Sequence, residues 1–148
     1  MKIKVNKDLH PSALTCEHTT RIRFNECDSL GIVWHGHYLK YFEDGREAFG
    51  RQYGISYLDV ENHGFFTPIT QSILEHQAPL KYGDVATIKT TFLQTRAAKL
   101  IFEYEIKNQN DQLVCTGQTT QVFMDKDHKL SILAPPFFKN WKAQHNLQ

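Results

Sequence analysis

Asp28 and His35 are the two side chains whose types and spacing best support chemistry. They flank a tight turn within the segment 23–46, which reads as the end of a strand, the turn and then an amphipathic helix. The start of a helix offers free backbone N–H groups and the positive end of the helix dipole, so it can polarise a carbonyl oxygen. A carboxylate held beside such a site could attack the carbonyl carbon or activate a water.

Length, charge and cysteine content restrict the class of protein. The 148 residues allow one core, and we expect an N-terminal arm over 1–14 followed by a single domain over 15–148. The 17 basic and 16 acidic residues give a net charge of +1, which gives no electrostatic case for nucleic acid binding. No apolar run is long enough for a membrane span or follows the pattern of a signal peptide. Three cysteines without a close pair argue against disulfides, so we expect a cytoplasmic protein.

One long helix among strands is the arrangement that the hydrophobic pattern predicts. Apolar residues that recur every three or four positions predict a helix ending near Gly50 or Gly54, on the stripe Tyr38, Phe42, Gly45, Phe49 and Tyr53. Strand patterns cover 17–27, 65–78, 84–94, 99–107 and 113–124, and Pro135-Pro136 predicts a short helix through Trp141. Because one helix cannot cover both faces of such a sheet, we expect an α+β fold, a curved antiparallel sheet of about five to six strands wrapped around one long central helix.

The segment 23–46 resembles a known family. It carries an aromatic strand residue, an aspartate, a glycine turn, Ile-Val with an aromatic residue, a histidine, and a helix with Tyr and Arg; these are Phe24, Asp28, Gly31, Ile32, Val33, Trp34, His35, Tyr38 and Arg46. This pattern and the order of elements are similar to the hotdog-fold acyl-CoA thioesterases, in particular the 4-hydroxybenzoyl-CoA thioesterase and YbgC-like group. The later run 80–84, LKYGD, resembles the turn of that family into its next strand.

The resemblance implies specific roles for the two candidate catalytic residues. Asp28 matches the catalytic carboxylate of the family, either as nucleophile or as general base, and both routes stay open. His35 falls at the first residue of the helix, whose backbone N–H is expected to polarise the thioester carbonyl, and its side chain could assist proton transfer. His37 stands where the YbgC-like group usually has Asn, a better helix cap. The chemistry requires no metal and no organic cofactor.

The resemblance also implies a substrate site shared between subunits. Coenzyme A carries phosphates, so Arg96 and Lys99 in a short connection are assigned to a phosphate clamp that could serve the neighbouring subunit. Aromatic residues are assigned to the remaining substrate contacts, and the set is Trp34, Tyr38, Phe42, Phe65 and Phe66. We expect a homodimer or homotetramer with the site at the subunit interface.

Several simpler interpretations compete with these roles. Asp28 could be an ordinary turn aspartate, His35 a helix-start residue satisfied by backbone, and Cys27 a packed thiol. Arg46 could form an ion pair with Glu43, three residues earlier on the helix. The spacing of the histidines fits no strong metal signature.

Other enzymatic functions and one non-enzymatic function remain open. An acyl-carrier-protein thioesterase would share only the pantetheine arm of the substrate, and a non-catalytic acyl-CoA-binding protein would bind without turnover. A hotdog-fold dehydratase is disfavoured because the carboxylate precedes the helix instead of lying within it. The acyl group is not determined by the residues.

Overall fold

A five-stranded antiparallel sheet packed against one long helix forms the body of the protein. The computed structural model describes residues 8–147. The strands are β1 His10–Arg21, β2 Phe65–Phe66, β3 Ile69–His76, β4 Val85–Gln94, β5 Lys99–Lys107, β6 Leu113–Val122 and β7 Met124–Asp125. The helices are α1 Tyr38–Tyr53, α2 Tyr57–Asn62 and α3 Pro136–Gln144. The large sheet has the order β1-β4-β5-β6-β3, and β2 pairs separately with β7. The predicted α+β class and the antiparallel sheet are confirmed.

Helix α1 approaches the sheet closely because a glycine faces it. A Cβ atom at Gly45 would lie 2.6 Å from Thr90 Oγ1 and 2.7 Å from a methyl carbon of Ile88, so a side chain here would push the helix away. One turn earlier, the ring of Phe42 stacks on Tyr104 with centroids 4.4 Å apart. The helix ends as predicted at Gly54, whose φ of 71° suits the left-handed cap that glycine adopts without strain. The apolar stripe therefore both forms α1 and fixes its depth against the sheet.

The register of the strands defines two opposite ends of the sheet. The pairs Arg21↔Val85 and Thr87↔Lys107 lie near one end, which we call the Asp28 end because the candidate catalytic turn adjoins it. The pairs His10↔Gln94 and Lys99↔Val122 lie at the other, which we call the Arg96 end. At about 3.3 Å per residue, the ten residues of β4 separate these ends by about 30 Å.

Several predicted boundaries are wrong. The first strand is predicted over 17–27 but runs over His10–Arg21, so part of the predicted N-terminal arm belongs to the sheet and Phe24–Glu26 form a 3₁₀ turn instead. Residues 1–7 of that arm lie outside the described residues. The predicted strand over 65–78 divides at Pro68 into β2 and β3, and the one over 113–124 divides into β6 and β7.

The short helix α2 lies outside the predicted elements. A capping box stabilises its N-terminus, in which the Ser56 hydroxyl accepts from Asp59 N–H and the Asp59 carboxylate accepts from Ser56 N–H. Within residues 8–147, no helix is long and apolar enough to cross a membrane.

Candidate active site

Asp28 lies at the tip of a tight hairpin that joins β1 to α1. Its backbone N–H donates to Ile32 O at 2.8 Å, and Gly31 N–H donates to Asp28 O at 3.0 Å. Gly31 takes a φ of 77°, which the turn needs and glycine allows. The Asp28 side chain accepts from Leu30 N–H through Oδ1 at 2.8 Å, the Asx-turn bond expected of a turn aspartate. Oδ2 accepts no hydrogen bond from any described residue, so half of the carboxylate is open to a ligand or water.

The hairpin is held in place by the turn that follows β3. Val33 N–H donates to Leu80 O at 2.9 Å, and Ile32 bridges to Lys81. Two hydrogen bonds stabilise that second turn. The Asp84 carboxylate accepts from Lys81 N–H at 2.9 Å and from Gln109 Nε2 at 2.9 Å. The LKYGD run therefore supplies the surface on which the Asp28 hairpin rests.

The helix begins with a 3₁₀ turn over His35–His37, and α1 proper starts at Tyr38. The first bond of this turn runs from His37 N–H to Trp34 O at 2.9 Å, so the N–H groups of His35 and Gly36 precede any intrahelical acceptor. The indole of Trp34 folds over Gly36, and a Cβ atom at residue 36 would overlap its six-membered ring. The two free N–H groups are therefore positioned by a glycine packed beneath an aromatic ring.

The two histidines of this turn have different surroundings. His35 is exposed, and its ring lies 5.0 Å from that of Trp34. His37 is half-buried with its ring edge-on to Trp34 at 5.5 Å, its side chain does not cap the helix, and its buried Nδ1 has no partner among the described residues. The helix start thus relies on backbone groups and the Trp34 ring, with no side-chain cap. Within residues 8–147, no group of three or more His, Cys, Asp or Glu side chains is arranged to hold a metal ion.

Exposed apolar side chains surround the Asp28 hairpin. Phe24 and Tyr82 pack edge-to-face with centroids 5.8 Å apart, yet they are 79% and 65% exposed, and Leu30 at the hairpin tip is 78% exposed. These exposed apolar groups beside the hairpin are candidates for substrate contacts. Tyr82 was not among the predicted site residues, although it lies in the LKYGD run.

The structure separates the predicted site residues into two groups. Asp28, Trp34, His35 and Tyr38 lie at the Asp28 end, where the buried Tyr38 ring meets His76 of β3 edge-on at 4.8 Å. The remaining candidates lie elsewhere: Phe42 in the middle of the core, and Phe65, Phe66, Arg96 and Lys99 at the Arg96 end. One chain therefore cannot gather all of them around its own Asp28.

Two of the predicted aromatic contacts have packing roles in the single chain. Phe42 is fully buried and stacked on Tyr104, so it could touch an acyl group only if the surrounding packing opened. Phe65 is half-buried and packs on Phe137 with centroids 5.5 Å apart, which ties β2 to α3. The Glu43–Arg46 ion pair is not formed, since Arg46 donates to Tyr104 Oη at 3.1 Å instead.

An antiparallel sheet packed against one long helix is the arrangement of hotdog-fold thioester hydrolases. The chain belongs to this family, because the profile of the thioesterase-like superfamily matches residues 22–142. YneP of Bacillus subtilis, by name a provisional acyl-CoA thioesterase, is 29% identical over 124 residues, which cover 84% of this chain and 90% of YneP.

Two further comparisons agree with this family. The acyl-CoA thioester hydrolase YbgC of Escherichia coli is 23% identical over 105 residues, covering 71% of this chain and 78% of YbgC. The crystal structure of a DHNA-CoA thioesterase from Staphylococcus aureus superposes with a TM-score of 0.80 at 25% identity, covering 88% of this chain and 89% of that one. The predicted hotdog fold and the thioesterase family are confirmed.

Proposed function

We propose that this protein hydrolyses acyl-CoA thioesters, with Asp28 as the catalytic carboxylate and the start of the helix at His35 as the oxyanion site. The observation that carries the proposal is that one hairpin bears the open Asp28 Oδ2 and leads directly into the helix start, where the N–H groups of His35 and Gly36 have no acceptor. Family membership and the printed names of the relatives support the substrate class.

The chemistry needs only groups that this chain carries. The N–H groups of His35 and Gly36 donate to the thioester oxygen as it becomes negative, an interaction that contributes about 3 kcal/mol per donor in other hydrolases. Asp28 either takes a proton from the attacking water or adds to the carbonyl carbon to give an anhydride that water then opens. In both routes the carbon–sulfur bond breaks, the CoA thiolate leaves and takes up a proton, and the free acid is released. The exposed His35 imidazole at the helix start is the candidate donor of that proton.

A second copy of the chain completes the substrate site in this proposal. Strand β3 is an edge, since within residues 8–147 it pairs only with β6, and its His76 touches Tyr38 at the helix start. A two-fold axis that pairs β3 with its own copy in antiparallel fashion puts the Ile69 end of one strand beside the His76 end of the other. The Arg96 end of each subunit then approaches the Asp28 end of its partner.

This arrangement assigns Arg96 and Lys99 to the CoA phosphates of the neighbouring site. Both lie in or beside the connection between β4 and β5, about 30 Å along the sheet from the Asp28 hairpin of their own chain. A CoA molecule whose thioester reacts at Asp28 places its phosphates close to the mouth of that pocket. A clamp about 30 Å away in the same chain is too far to bind these phosphates. In the proposed dimer, the clamp of the partner subunit lies at the same end of the assembly as this Asp28.

The test is release of free thiol from a panel of acyl-CoAs with short, long and aromatic acyl groups. Hydrolysis of at least one member by the purified protein supports the proposal and identifies the acyl class. The same panel carried on acyl carrier protein distinguishes the two thioester carriers. Tight binding of acyl-CoA without any thiol release would overturn the hydrolase proposal in favour of a binding protein.

A further inference from the structure

The hairpin that carries Asp28 closes at a short neck, where the chain segments before and after the turn meet. At this neck, Trp34 N–H donates to Glu26 O at 3.0 Å. Glu26 precedes Asp28 by two residues, and Trp34 directly precedes the free N–H group of His35. The distance between the catalytic carboxylate and the helix start therefore depends on how this neck is held against α1.

The side chain of Glu26 uses one of its two oxygens within the neck. Oε1 accepts from the backbone N–H of Arg23 at 2.7 Å, a bond that caps the 3₁₀ turn over Phe24–Glu26. The residue is half-buried, and its carboxylate forms no ion pair among residues 8–147. One oxygen of Glu26 thus serves the turn, and the second is left for another donor.

Tyr41, in the first turn of α1, has a buried hydroxyl without a partner. The residue is 2% exposed, and its Oη atom forms no hydrogen bond of ordinary length with a described residue. Tyr41 and Glu26 border the same polar cavity between the end of β1 and α1. Burial raises the pKa of the Tyr41 phenol, and the Glu26 carboxylate raises it further, because an acceptor beside the hydroxyl stabilises its protonated form. A buried donor without an acceptor is costly, so its retention needs an explanation.

We propose that Tyr41 O–H donates to the second oxygen of Glu26, and that this bond positions the Asp28 carboxylate relative to the helix start. We call this bond the tether. It satisfies a buried donor and an open acceptor at once, and it joins the neck of the hairpin to the first turn of α1. Hydrogen bonds that support an active site are commonly long before substrate binds and shorten in the complex. Glu26 and Tyr41 are positioning residues, since neither contacts the thioester.

The inference rests on the proposed function, because it concerns the geometry of the same site. A simpler interpretation is that Glu26 only caps its own 3₁₀ turn and that Tyr41 only fills the core. Under that interpretation, loss of the Tyr41 hydroxyl would leave catalysis unchanged and would not destabilise the fold, since an unpaired buried polar group is removed. The tether predicts a loss of rate instead, because misplacing a catalytic group by about 1 Å can cost about 100-fold. The Tyr41 hydroxyl therefore separates the two interpretations.

The kinetic test measures kcat and KM by thiol release in single and double variants. We expect Tyr41→Phe to lower kcat by about 10- to 100-fold, with KM within about threefold and the melting temperature within a few degrees. Glu26→Ala should lose at least as much, and adding Tyr41→Phe to it should cause little further loss, because both changes remove the same bond. Glu26→Gln should keep kcat within about threefold, since its NH₂ group can donate to Tyr41 Oη while its oxygen accepts from Arg23 N–H.

Tyr53→Phe is the matched control. Tyr53 lies at the far end of α1, and its hydroxyl donates to Thr15 O at 2.7 Å, so this change also removes one hydroxyl bond from the helix. It should lower the melting temperature and leave kcat unchanged. An unchanged kcat in a folded Tyr41→Phe protein, or equal losses of kcat in Tyr41→Phe and Tyr53→Phe, would overturn the inference.

Amide hydrogen exchange tests the tether without turnover. The Trp34 N–H group reports on the neck because it donates to Glu26 O. We expect its exchange to be at least about tenfold faster in Tyr41→Phe than in the wild type, and unchanged in Tyr53→Phe. Equal exchange in Tyr41→Phe and the wild type would overturn the inference even if kcat fell. Faster exchange in a protein that hydrolyses no acyl-CoA would instead overturn the proposed function and leave the tether standing.

Discussion

Complementation between two defective variants tests whether the active site is shared between subunits. One variant carries Asp28→Asn and lacks the catalytic carboxylate, and the other carries Arg96→Ala with Lys99→Ala and lacks the phosphate clamp. The register of β4 places these two sites about 30 Å apart in one chain. In a mixed dimer of the proposed geometry, one of the two sites receives Asp28 from the clamp variant and the clamp from the Asp28 variant.

The magnitude follows from counting sites. Random exchange of equal amounts gives about half mixed dimers, each with one intact site out of two, so the mixture should reach about a quarter of wild-type activity. Alone, the Asp28→Asn protein should be nearly inactive. The clamp variant should lose at least about 100-fold in kcat/KM, since it removes two charge-assisted bonds to phosphate that each contribute about 1.5 to 3 kcal/mol.

The assay is thiol release at a substrate concentration well below KM, before and after subunit exchange, with two affinity tags to isolate the mixed dimer. Activity of the mixture equal to the average of the two separate proteins, with the mixed dimer demonstrably present, would refute the shared site. Such a result would mean that Arg96 and Lys99 either act in their own chain or have no role.

Three further predictions concern the residues that support the site. Gly36→Ala should displace the Trp34 indole, because the added Cβ overlaps its ring; the tryptophan emission spectrum and thiol release should both change while the melting temperature stays within a few degrees. Phe42→Ala should lower the free energy of unfolding by about 3 to 5 kcal/mol in urea titration, since it removes a fully buried ring stacked on Tyr104; a loss below 1 kcal/mol would contradict the packing role. Burial raises the pKa of the Cys115 thiol from 9.0 to about 11, so the folded state holds this proton more tightly and the free energy of unfolding should fall as pH rises from about 9 to 11; Cys115→Ala should remove that part of the pH dependence.

Local sequence signals predicted the elements that carry the chemistry. The stripe from Tyr38 to Tyr53 gave α1 because burial on one face of a helix imposes that spacing, and the Asp28–Gly31 turn follows from residues adjacent in sequence. Strand β5 runs over the predicted Lys99–Lys107 because the polar turns that flank it are unambiguous. Where the determinants of structure lie within a few residues of one another, the pattern was sufficient.

Elements that depend on distant partners were not predicted correctly. The start of β1 at His10 is imposed by pairing with Gln94 across an irregular register near Pro11, and its own residues alternate weakly. The division of 65–78 arises because Phe65 pairs with Asp125 of β7, whereas Ile69 pairs with Gln121 of β6. For the same reason the partition of the candidate site between two ends of the sheet could not be read from the chain alone.

Two missed features had local signals of uneven strength. The capping box Ser56-x-x-Asp59 marks the start of α2 and could have been recognised. The hydrogen bond from Gln121 to Thr67 could not, because its two partners lie 54 residues apart in sequence.

The central claim is that the Asp28 carboxylate performs the hydrolysis, and Asp28→Asn tests it most directly. The Asn side chain keeps an oxygen to accept from Leu30 N–H, so the hairpin should survive and the folded structure should be retained. We predict that kcat for the best acyl-CoA falls by at least about 10²- to 10⁴-fold while the Kd for that substrate changes by less than about threefold. Asp44→Asn, the same change at an exposed position of α1, should leave both constants unchanged. A folded Asp28→Asn protein that keeps kcat within tenfold of the wild-type value would contradict the account.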